Sequence, residues 1–392
     1  MKKELKGFIC GAAATALLFS MTFTTFADTV NKTISVAYRD IKVYVDGNPI
    51  QSKDAKGGNV EAFIYKGTTY LPVRVVSEAF GKEVTWDSKK NSIYIGQSPL
   101  QEVTVSTAEE FVKAIGSNKK IILKPGTYDL SKLKPVDNAD HTVVWESVED
   151  GQELIIQNVS NLTIQGEDMQ NTKFVVAPRY AQIMNFKNSS NITVKNIIAG
   201  HTPMEYECDA GVLLFDSCQN VAISNSEFYG CGSIGLTIDN TTNLKCDNVN
   251  INHCSLRALD IFNSNNITFS NSKIHNHEAY SNIIYAVNSQ DILFEGCEMK
   301  DNNNFGWGFI ELGGKTNVVI DKCTITNNTQ AKDSDWGDAF FFKVKDDISG
   351  EVGTIVIKNT KITGNRCDFL TDKKDAITFD NCTMKDNVWK NL

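Results

Sequence analysis

The stretch Asn243-Leu244-Lys245-Cys246 is one copy of a four-residue motif that recurs along the middle of the chain. Each copy begins with an anchor residue, which is Asn in six copies and Asp in one. The anchors are Asn161, Asn191, Asn220, Asn243, Asn266, Asp291 and Asn317. They are separated by 30, 29, 23, 23, 25 and 26 residues. A period of this length indicates a solenoid in which each lap is one supersecondary unit.

Each lap contains short runs in which apolar and polar residues alternate, and none of the runs has helical periodicity. Relative to the anchor, apolar residues recur at +1, +3 and +8 and upstream at −7 and −5, which predicts three short strands per lap. Asn recurs at +5, as in Asn248 and Asn271, where it tolerates a left-handed corner and can bond to its copies on neighbouring laps. The pattern predicts a mainly β protein, a right-handed parallel β-helix.

The repeat resembles the pectin-lyase-like β-helix families, and the resemblance extends over residues 101–392. It implies the architecture of secreted β-helix enzymes and adhesins. The sequence lacks the paired-Asp motifs of polygalacturonase-like hydrolases. It also lacks the three coil-face acids with a following Arg that are typical of pectate lyases. Similarity of fold therefore supplies most of the support for an enzyme.

Residues 1–27 have the features of a secretory signal peptide: an early group of Lys residues, an apolar middle and the small-residue end Thr25-Phe26-Ala27. Its removal changes the formal net charge from −8 to −10, because it contains three Lys and one Glu. No later segment is apolar over the length of a membrane span. The acidic chain argues against nucleic acid or anionic lipid as a partner. We expect an exported monomer that is secreted or attached to the cell surface.

Residues 34–96 are expected to form a separate small α+β domain. Tyr70-Leu71-Pro72-Val73-Arg74 and Val84-Thr85-Trp86-Asp87 resemble the copper amine oxidase-like N-terminal domain, also called a stalk domain. The resemblance implies a spacer or attachment module. No His precedes His141, so the segment lacks a His-built copper site. We assign Arg74 and Trp86 to packing within this domain.

Two local features extend the prediction for the β-helix. Thr107 and Glu110 have the spacing of a capping box, which predicts a short helix covering the open end of the first coil. Most cysteines are expected to be small stacking residues, such as Cys297 at +6. Cys231 and Cys254 both fall at +11 on adjacent laps, within the Cα separation that a disulfide needs, so a disulfide is one expectation for this pair.

The candidate catalytic residues lie on one strand of successive laps. Position −6 points outward and is occupied by Leu214, Thr237, Asp260, Tyr285 and Glu311. Asp260 and Glu311 are two rungs apart, about 10 Å, which slightly exceeds the carboxylate separation of inverting glycosidases and is too long for retaining ones. We predict catalytic roles for Asp260, Glu311, Arg257 and Tyr285, with Arg257 keeping Asp260 ionised. The alternative is that these are ordinary polar residues of a β-helix face.

Residues around this column are candidates for contacts with a substrate. They are His253, His277, Tyr280, Trp307, Trp336 and Asp239. Histidines also suit tight turns, and the tryptophans could instead cover the apolar Phe340-Phe341-Phe342 run. The two histidines lack recognised metal-ligand spacing, so no metal site is predicted. The acidic loop at 333–338 lacks the regular spacing of a Ca²⁺ loop, so no motif supports Ca²⁺ and no cofactor is expected.

Two functions fit these observations. One is a carbohydrate-directed protein that acts as a polysaccharide lyase or glycoside hydrolase. The other is a non-catalytic surface adhesin that binds a polysaccharide or cell-wall glycan, or a structural spacer. The cluster of His, Arg and acidic residues favours the first, and the missing catalytic motifs favour the second.

Overall fold

The computed structural model describes residues 32–50, 58–82, 84–87, 91–96, 99–230, 233–305, 308–330, 338–345, 350 and 352–390. The predicted signal peptide lies outside these residues. The chain divides into two compact units, Met1–Ser98 and Pro99–Leu392.

Where the structure describes the first unit, it shows three small antiparallel pairs and one helix. The pairs are Tyr44–Val45 with Asn48–Pro49, Phe63–Tyr65 with Thr68–Tyr70, and Val84–Asp87 with Ser92–Ile95, and the helix is Val73–Ala79. The helix buries Val75 and Ser77. Trp86, which we expected to be packed within this domain, has 57% of its surface exposed. That expectation is wrong, because Trp86 lies in a two-stranded pair whose outward face nothing in the described residues covers.

The second unit is a right-handed parallel β-helix, which confirms the predicted fold class. Its strands form three parallel ladders, in which each strand pairs with its counterpart one lap later. The first ladder comprises Gly151–Gln157, Met184–Lys187, Leu213–Asp216, Ile234–Asp239, Arg257–Phe262, Ile284–Val287, Gly308–Gly313, Phe340–Lys345 and Arg366–Thr371. Val143–Val148 pairs antiparallel with its first strand.

The second ladder contains the anchor motifs. It comprises Gln101–Val105, Lys119–Leu123, Ser160–Gly166, Ser190–Lys195, Gln219–Tyr229, Thr242–Asn252, Asn265–Ser270, Gln290–Glu295, Asn317–Asp321, Thr354–Lys358 and Ile377–Asp380. The +1 and +3 side chains point into the coil, as predicted, and each is at most 2% exposed. Stacked aromatic pairs such as Phe269 and Phe294, whose ring centroids are 5.1 Å apart, fill the interior.

The third ladder follows the corner after the second, and a few short strands complete the coils. The third ladder comprises Gly126–Asp129, Thr172–Val176, Ile198–His201, the second halves of Gln219–Tyr229 and Thr242–Asn252, Lys273–His275, Glu298–Lys300, Thr324–Thr326, Lys361–Thr363 and Thr383–Lys385. The short strands are Glu278–Ala279, Asn303–Asn304, Thr329–Gln330 and Val388–Lys390. The described part of this unit also has 3₁₀ turns at Leu130–Lys132, Met169–Asn171 and Lys374–Ala376.

The predicted capping helix spans Ala108–Ala114. The Thr107 hydroxyl accepts a hydrogen bond from the Glu110 amide at 3.1 Å, as expected of an N-cap. The Glu110 carboxylate reaches one residue further back than a capping box requires and accepts from the Ser106 amide at 2.8 Å. Phe111 is fully buried and packs on Phe174 with 4.8 Å between ring centroids. The helix therefore covers the apolar interior of the first coil.

Hydrogen-bonded polar ladders fix the corners. The anchor residues from Asn161 to Asn266, which are exposed or half-buried, bond from lap to lap, as where Asn243 donates to Asn220 at 3.0 Å and Asn266 donates to Asn243 at 2.7 Å. The predicted +5 ladder is present where Asn248 donates to Asn225 at 2.8 Å. A further ladder lies inside the coils, where Asn302 donates to Asn328 at 2.8 Å and Asn328 to Asn365 at 2.9 Å. Each amide satisfies the next, so polar groups are buried without loss of hydrogen bonds.

The cysteines behave as stacking residues, with one correction. Cys297 and Cys323 are buried free thiols, as expected, and the Cys297 amide donates to the Cys323 sulfur at 3.3 Å. Cys254 is also a free thiol, so the expected disulfide with Cys231 is wrong. Its sulfur is fully buried and lies 3.6 Å from the Asn252 carbonyl, inside the coil, and Cys231 itself lies outside the described residues. Cys208 is disulfide-bonded.

The buried Asn ladder gives a stability prediction. Asn328→Leu should lower the free energy of unfolding by about 2–4 kcal/mol, because it leaves polar partners on two neighbouring coils unsatisfied. Asn317→Leu, at a half-exposed anchor whose side chain bonds to Gln290 and Thr354, should cost less than about 1.5 kcal/mol. Denaturant unfolding of the two variants measures the difference. Equal losses would show that the inner ladder contributes nothing beyond an exposed one.

The division into two units gives a second prediction. A chain that begins at Pro99 should fold with the strand-rich circular dichroism and cooperative melting of the full chain, because solenoid coils bury their core against one another. A fragment without cooperative melting would instead place part of the β-helix core in the first unit.

Candidate functional site

The register of the first ladder brings the predicted column together. Thr237 lies opposite Asp260, Asp260 opposite Tyr285, and Tyr285 opposite Glu311. Lys343 follows Glu311 on the next strand. At the spacing of parallel strands, the Cα atoms of Asp260 and Glu311 are therefore about 10 Å apart.

Asp260 forms a buried ion pair with Arg257. An Arg257 terminal nitrogen lies 3.1 and 3.3 Å from the two carboxylate oxygens. Arg257 also lies over the Tyr285 ring, 5.0 Å from its centroid, and donates to the Ser281 hydroxyl at 3.2 Å. Burial raises the pKa of Asp260 to about 6, although the guanidinium beside it acts in the opposite direction.

Glu311 is held from two sides. Asn282 donates to one carboxylate oxygen at 2.6 Å, and Lys345 forms an ion pair with the other. The Ser281 hydroxyl donates to the side-chain Oδ1 of Asn282 at 2.8 Å. Because Ser281 also contacts Arg257, a continuous chain of polar contacts connects the two carboxylates. We call it the polar network, and its members are Asp260, Arg257, Ser281, Asn282, Glu311 and Lys345.

The two carboxylates are covered, although their position on the strand points away from the coil interior. Asp260 is 3% exposed and Glu311 is 1% exposed. Every carboxylate oxygen contacts Arg257, Asn282 or Lys345. Changes at these two residues are therefore changes to buried ionic groups, which affect stability more than changes at exposed residues do.

The predicted histidines occupy structural positions. His253 is exposed and adopts a left-handed conformation with φ 55°, at the corner where Asn276 and Asp301 stand one and two laps later. His277 is fully buried: its Nδ1 accepts from the Cys254 amide at 3.0 Å and its Nε2 faces the Ile251 carbonyl at 3.1 Å. Burial lowers the pKa of His277 to about 3, so the ring is neutral. It lies inside the coil and not on the candidate surface.

The remaining predicted residues are distributed differently. Asp239 lies half-buried at the end of its strand, opposite Phe262, and accepts from Asn263 at 3.3 Å. Trp307 and Trp336 lie outside the described residues. Tyr280 is 63% exposed and directly precedes Ser281 of the polar network.

Tyr280 belongs to an exposed group of three aromatic rings. Its ring centroid lies 5.3 Å from that of Tyr206, nearly perpendicular, and 6.4 Å from that of Phe305. Tyr206 and Phe305 are each 41% exposed. Backbone bonds from Tyr280 to the Ser255 carbonyl and from Phe305 to the Ala279 carbonyl fix the two on consecutive coils. We call Tyr206, Tyr280 and Phe305 the aromatic patch.

Sequence reasoning missed two residues of the patch and three of the network. Tyr206 lies in a loop between laps, where the repeat gives no register. Phe305 follows Tyr280 by 25 residues, the length of one lap, so an alignment of the two laps identifies it. Ser281, Asn282 and Lys345 give no signal of their own, because their contacts depend on side-chain directions in neighbouring coils.

The described residues contain no group of three or more His, Cys, Asp or Glu side chains placed to hold a metal ion. None of the helices in the described part of the chain has the length and apolarity needed to cross a bilayer.

Two family models match the chain. Residues 210–384 match the model described as a right-handed β-helix region, and residues 21–95 match the copper amine oxidase N-terminal domain. These matches confirm the resemblance predicted from the sequence, a stalk-type domain followed by a right-handed parallel β-helix. No curated protein matches the chain significantly in sequence.

Several solved structures share the β-helix at low identity. An alginate lyase from Paenibacillus sp. str. FPU-7 is 11% identical, with 74% of this chain and 97% of that chain covered and a TM-score of 0.49. The A-module of the mannuronan C-5 epimerase AlgE4 from Azotobacter vinelandii is 10% identical, with 74% and 97% covered and a TM-score of 0.42. PfbA, a surface adhesin of Streptococcus pneumoniae, is 12% identical, with 75% and 70% covered and a TM-score of 0.39. Similarities of this size do not decide what this chain does.

The raised pKa of Asp260 predicts a pH-dependent stability. Folding raises the pKa of this carboxyl group from its ordinary value of 3.8 to about 6. The folded protein therefore binds the proton more tightly than the unfolded chain does. This contribution to stability is complete below pH 3.8 and is lost as the pH rises through about 6. The difference between the two pKa values corresponds to about 3 kcal/mol in the free energy of unfolding.

Unfolding of the parent and of Asp260→Asn should therefore be compared between about pH 4 and pH 7. The free energy of unfolding of the parent, relative to the variant, should be higher at the acidic end. A relative stability that is constant, or that rises with pH, would show that Asp260 keeps an ordinary or lowered pKa.

Proposed function

We propose that this protein is exported and binds a polysaccharide or cell-wall glycan across the first-ladder face of its β-helix. The observation that supports this most directly is the aromatic patch beside the polar network. Its three rings are exposed next to one another on a rigid scaffold. In the absence of a ligand, exposing these rings to water does not stabilise the protein.

Aromatic side chains suit a sugar ligand because one side chain offers both apolar area and a polar group. The apolar C–H faces of pyranose rings can pack on Tyr280 and Phe305, and the tyrosine hydroxyl groups can hydrogen-bond to the sugar. Since Tyr280 and Phe305 are on consecutive coils, a chain of sugars that crosses the coils would contact both. Tyr206 adds a third ring from the loop between laps.

Binding is better supported than catalysis by the state of the carboxylates. Asp260 and Glu311 have all their oxygens in contacts with other side chains of the network. A substrate could reach either one only by displacing Arg257, Asn282 or Lys345. The network serves best as a rigid support beside the patch, which favours the non-catalytic adhesin.

One observation favours catalysis as a second candidate. A carboxyl group with a pKa of about 6 is suited to general acid or base chemistry near neutral pH. In this alternative Asp260 and Glu311 act as the acid–base groups of a lyase or hydrolase, Arg257 stabilises charge, and Tyr285 contacts the sugar. For either function, binding or catalysis, the first unit is an attachment or spacer module.

Binding of the full chain to a panel of neutral, anionic and cationic polysaccharides tests the proposal. Tyr280→Ala combined with Phe305→Ala should weaken binding about tenfold or more, because truncating a central aromatic contact costs more than about 1 kcal/mol. Tyr44→Ala removes an equally exposed ring from the first unit and should leave affinity unchanged. If none of the polysaccharides binds, the chain is a spacer and the proposal is wrong.

The same panel separates binding from turnover. Release of reducing ends or of unsaturated, ultraviolet-absorbing products would establish catalysis. Asp260→Asn and Glu311→Gln should then abolish it, while Asp216→Asn, on the same ladder two strands before Asp260, should not. Binding without either product would establish the non-catalytic adhesin.

A further inference from the structure

The aromatic patch is bordered by carboxylates. The Tyr206 hydroxyl donates to Glu278 at 2.6 Å. Glu205 and Glu207 flank Tyr206 in the chain, and all three glutamates are exposed. Glu207 is paired with Arg179 at 3.1 Å, so its charge is largely compensated. Glu205 and Glu278 have no such ion pair among the contacts of the described residues.

The negative charges of Glu278 and Glu205 act on the Tyr206 side chain of the aromatic patch. Burial, then the hydrogen bond to Glu278, and then the charges of Glu278 and Glu205 raise the pKa of the Tyr206 hydroxyl. The hydroxyl therefore stays protonated and continues to donate to Glu278. Tyr206 is thereby held against Tyr280, so the acidic border and the ring arrangement depend on one another.

This combination discriminates between glycans by charge. The faces of aromatic rings attract cations, and neighbouring carboxylates strengthen the attraction. A uronic acid polymer would place its own carboxylates beside Glu205 and Glu278, and like charges brought together in this way reject a ligand. A neutral glycan would gain the ring contacts without the electrostatic attraction.

We propose that the aromatic patch binds a polysaccharide that contains protonated amino sugars, and not a uronic acid polymer. This rests on the proposed function, since it names the class of glycan for the same surface. The protonated amine lies near Glu205 and Glu278, and the sugar rings pack on Tyr280 and Phe305.

The test uses the full chain and three oligosaccharides of matched length. Chitosan oligosaccharide carries free amines, fully N-acetylated chito-oligosaccharide is neutral, and oligogalacturonate is anionic. Calorimetric titration should give an affinity for the chitosan probe at least about tenfold above that for the acetylated one, with the anionic probe weakest. Added salt should reduce the preference, because it screens exposed charges.

Matched variants separate this site from general attraction to an acidic protein. Glu205→Gln with Glu278→Gln should lower the affinity for chitosan to near the affinity for the neutral probe. Glu146→Gln with Glu167→Gln removes the same charge from two other exposed glutamates of the β-helix and should leave the preference intact. Tyr280→Ala with Phe305→Ala should weaken binding of both probes.

Each result decides one of the two proposals. If none of the probes binds, and the wider panel also fails, the proposed function is wrong. If the neutral or anionic probe binds as tightly as chitosan, the proposed function stands and the amino-sugar assignment is wrong. The assignment is also wrong if both glutamate pairs change the preference equally, because the attraction then comes from overall charge.

Discussion

Hydrogen bonds between successive coils hold each strand residue opposite its counterpart one lap away, and the rest of the structure depends on this register. A parallel ladder repeats at about 4.8 Å, so every side chain meets a partner of the same position above and below it. Positions that face inward must therefore suit close stacking. Leu244, Ile267 and Ile292 do so in the apolar interior, and Asn302 and Asn328 do so as a buried ladder of amides.

The same constraint shapes the outward column. Stacking Asp260 near Glu311 places two carboxylates on one face with a single rung between them. The chain compensates each with a cation, Arg257 for the first and Lys345 for the second, and connects the pairs through short polar side chains. A buried ion pair of this kind contributes little net stability, yet it is costly to break. It fixes the geometry of the surface beside it.

The aromatic patch arises where the repeat is interrupted. Tyr280 and Phe305 follow the register of consecutive coils, but Tyr206 enters from a loop inserted between laps. Regular coils supply a rigid base and Glu278, and the inserted loop supplies the third ring and Glu205. This division is common in repeat proteins, where insertions on one face modify a constant scaffold.

A repeat of fixed register converts spacing in the chain into position in space. The amino-acid pattern alone therefore predicts the fold, the lap boundaries, the inward positions and the column that holds Asp260, Tyr285 and Glu311. It also determined the helix that covers the first coil. Three properties become visible only in the folded coils: Asp260 and Glu311 are buried, His277 is neutral and hydrogen-bonded to backbone groups inside the coil, and Cys254 is a free thiol. These outcomes depend on side-chain directions and on the segments that cover each position, and neither property repeats with the lap. A period fixes which residues are neighbours, but burial and charge pairing depend on the particular side chains that meet there.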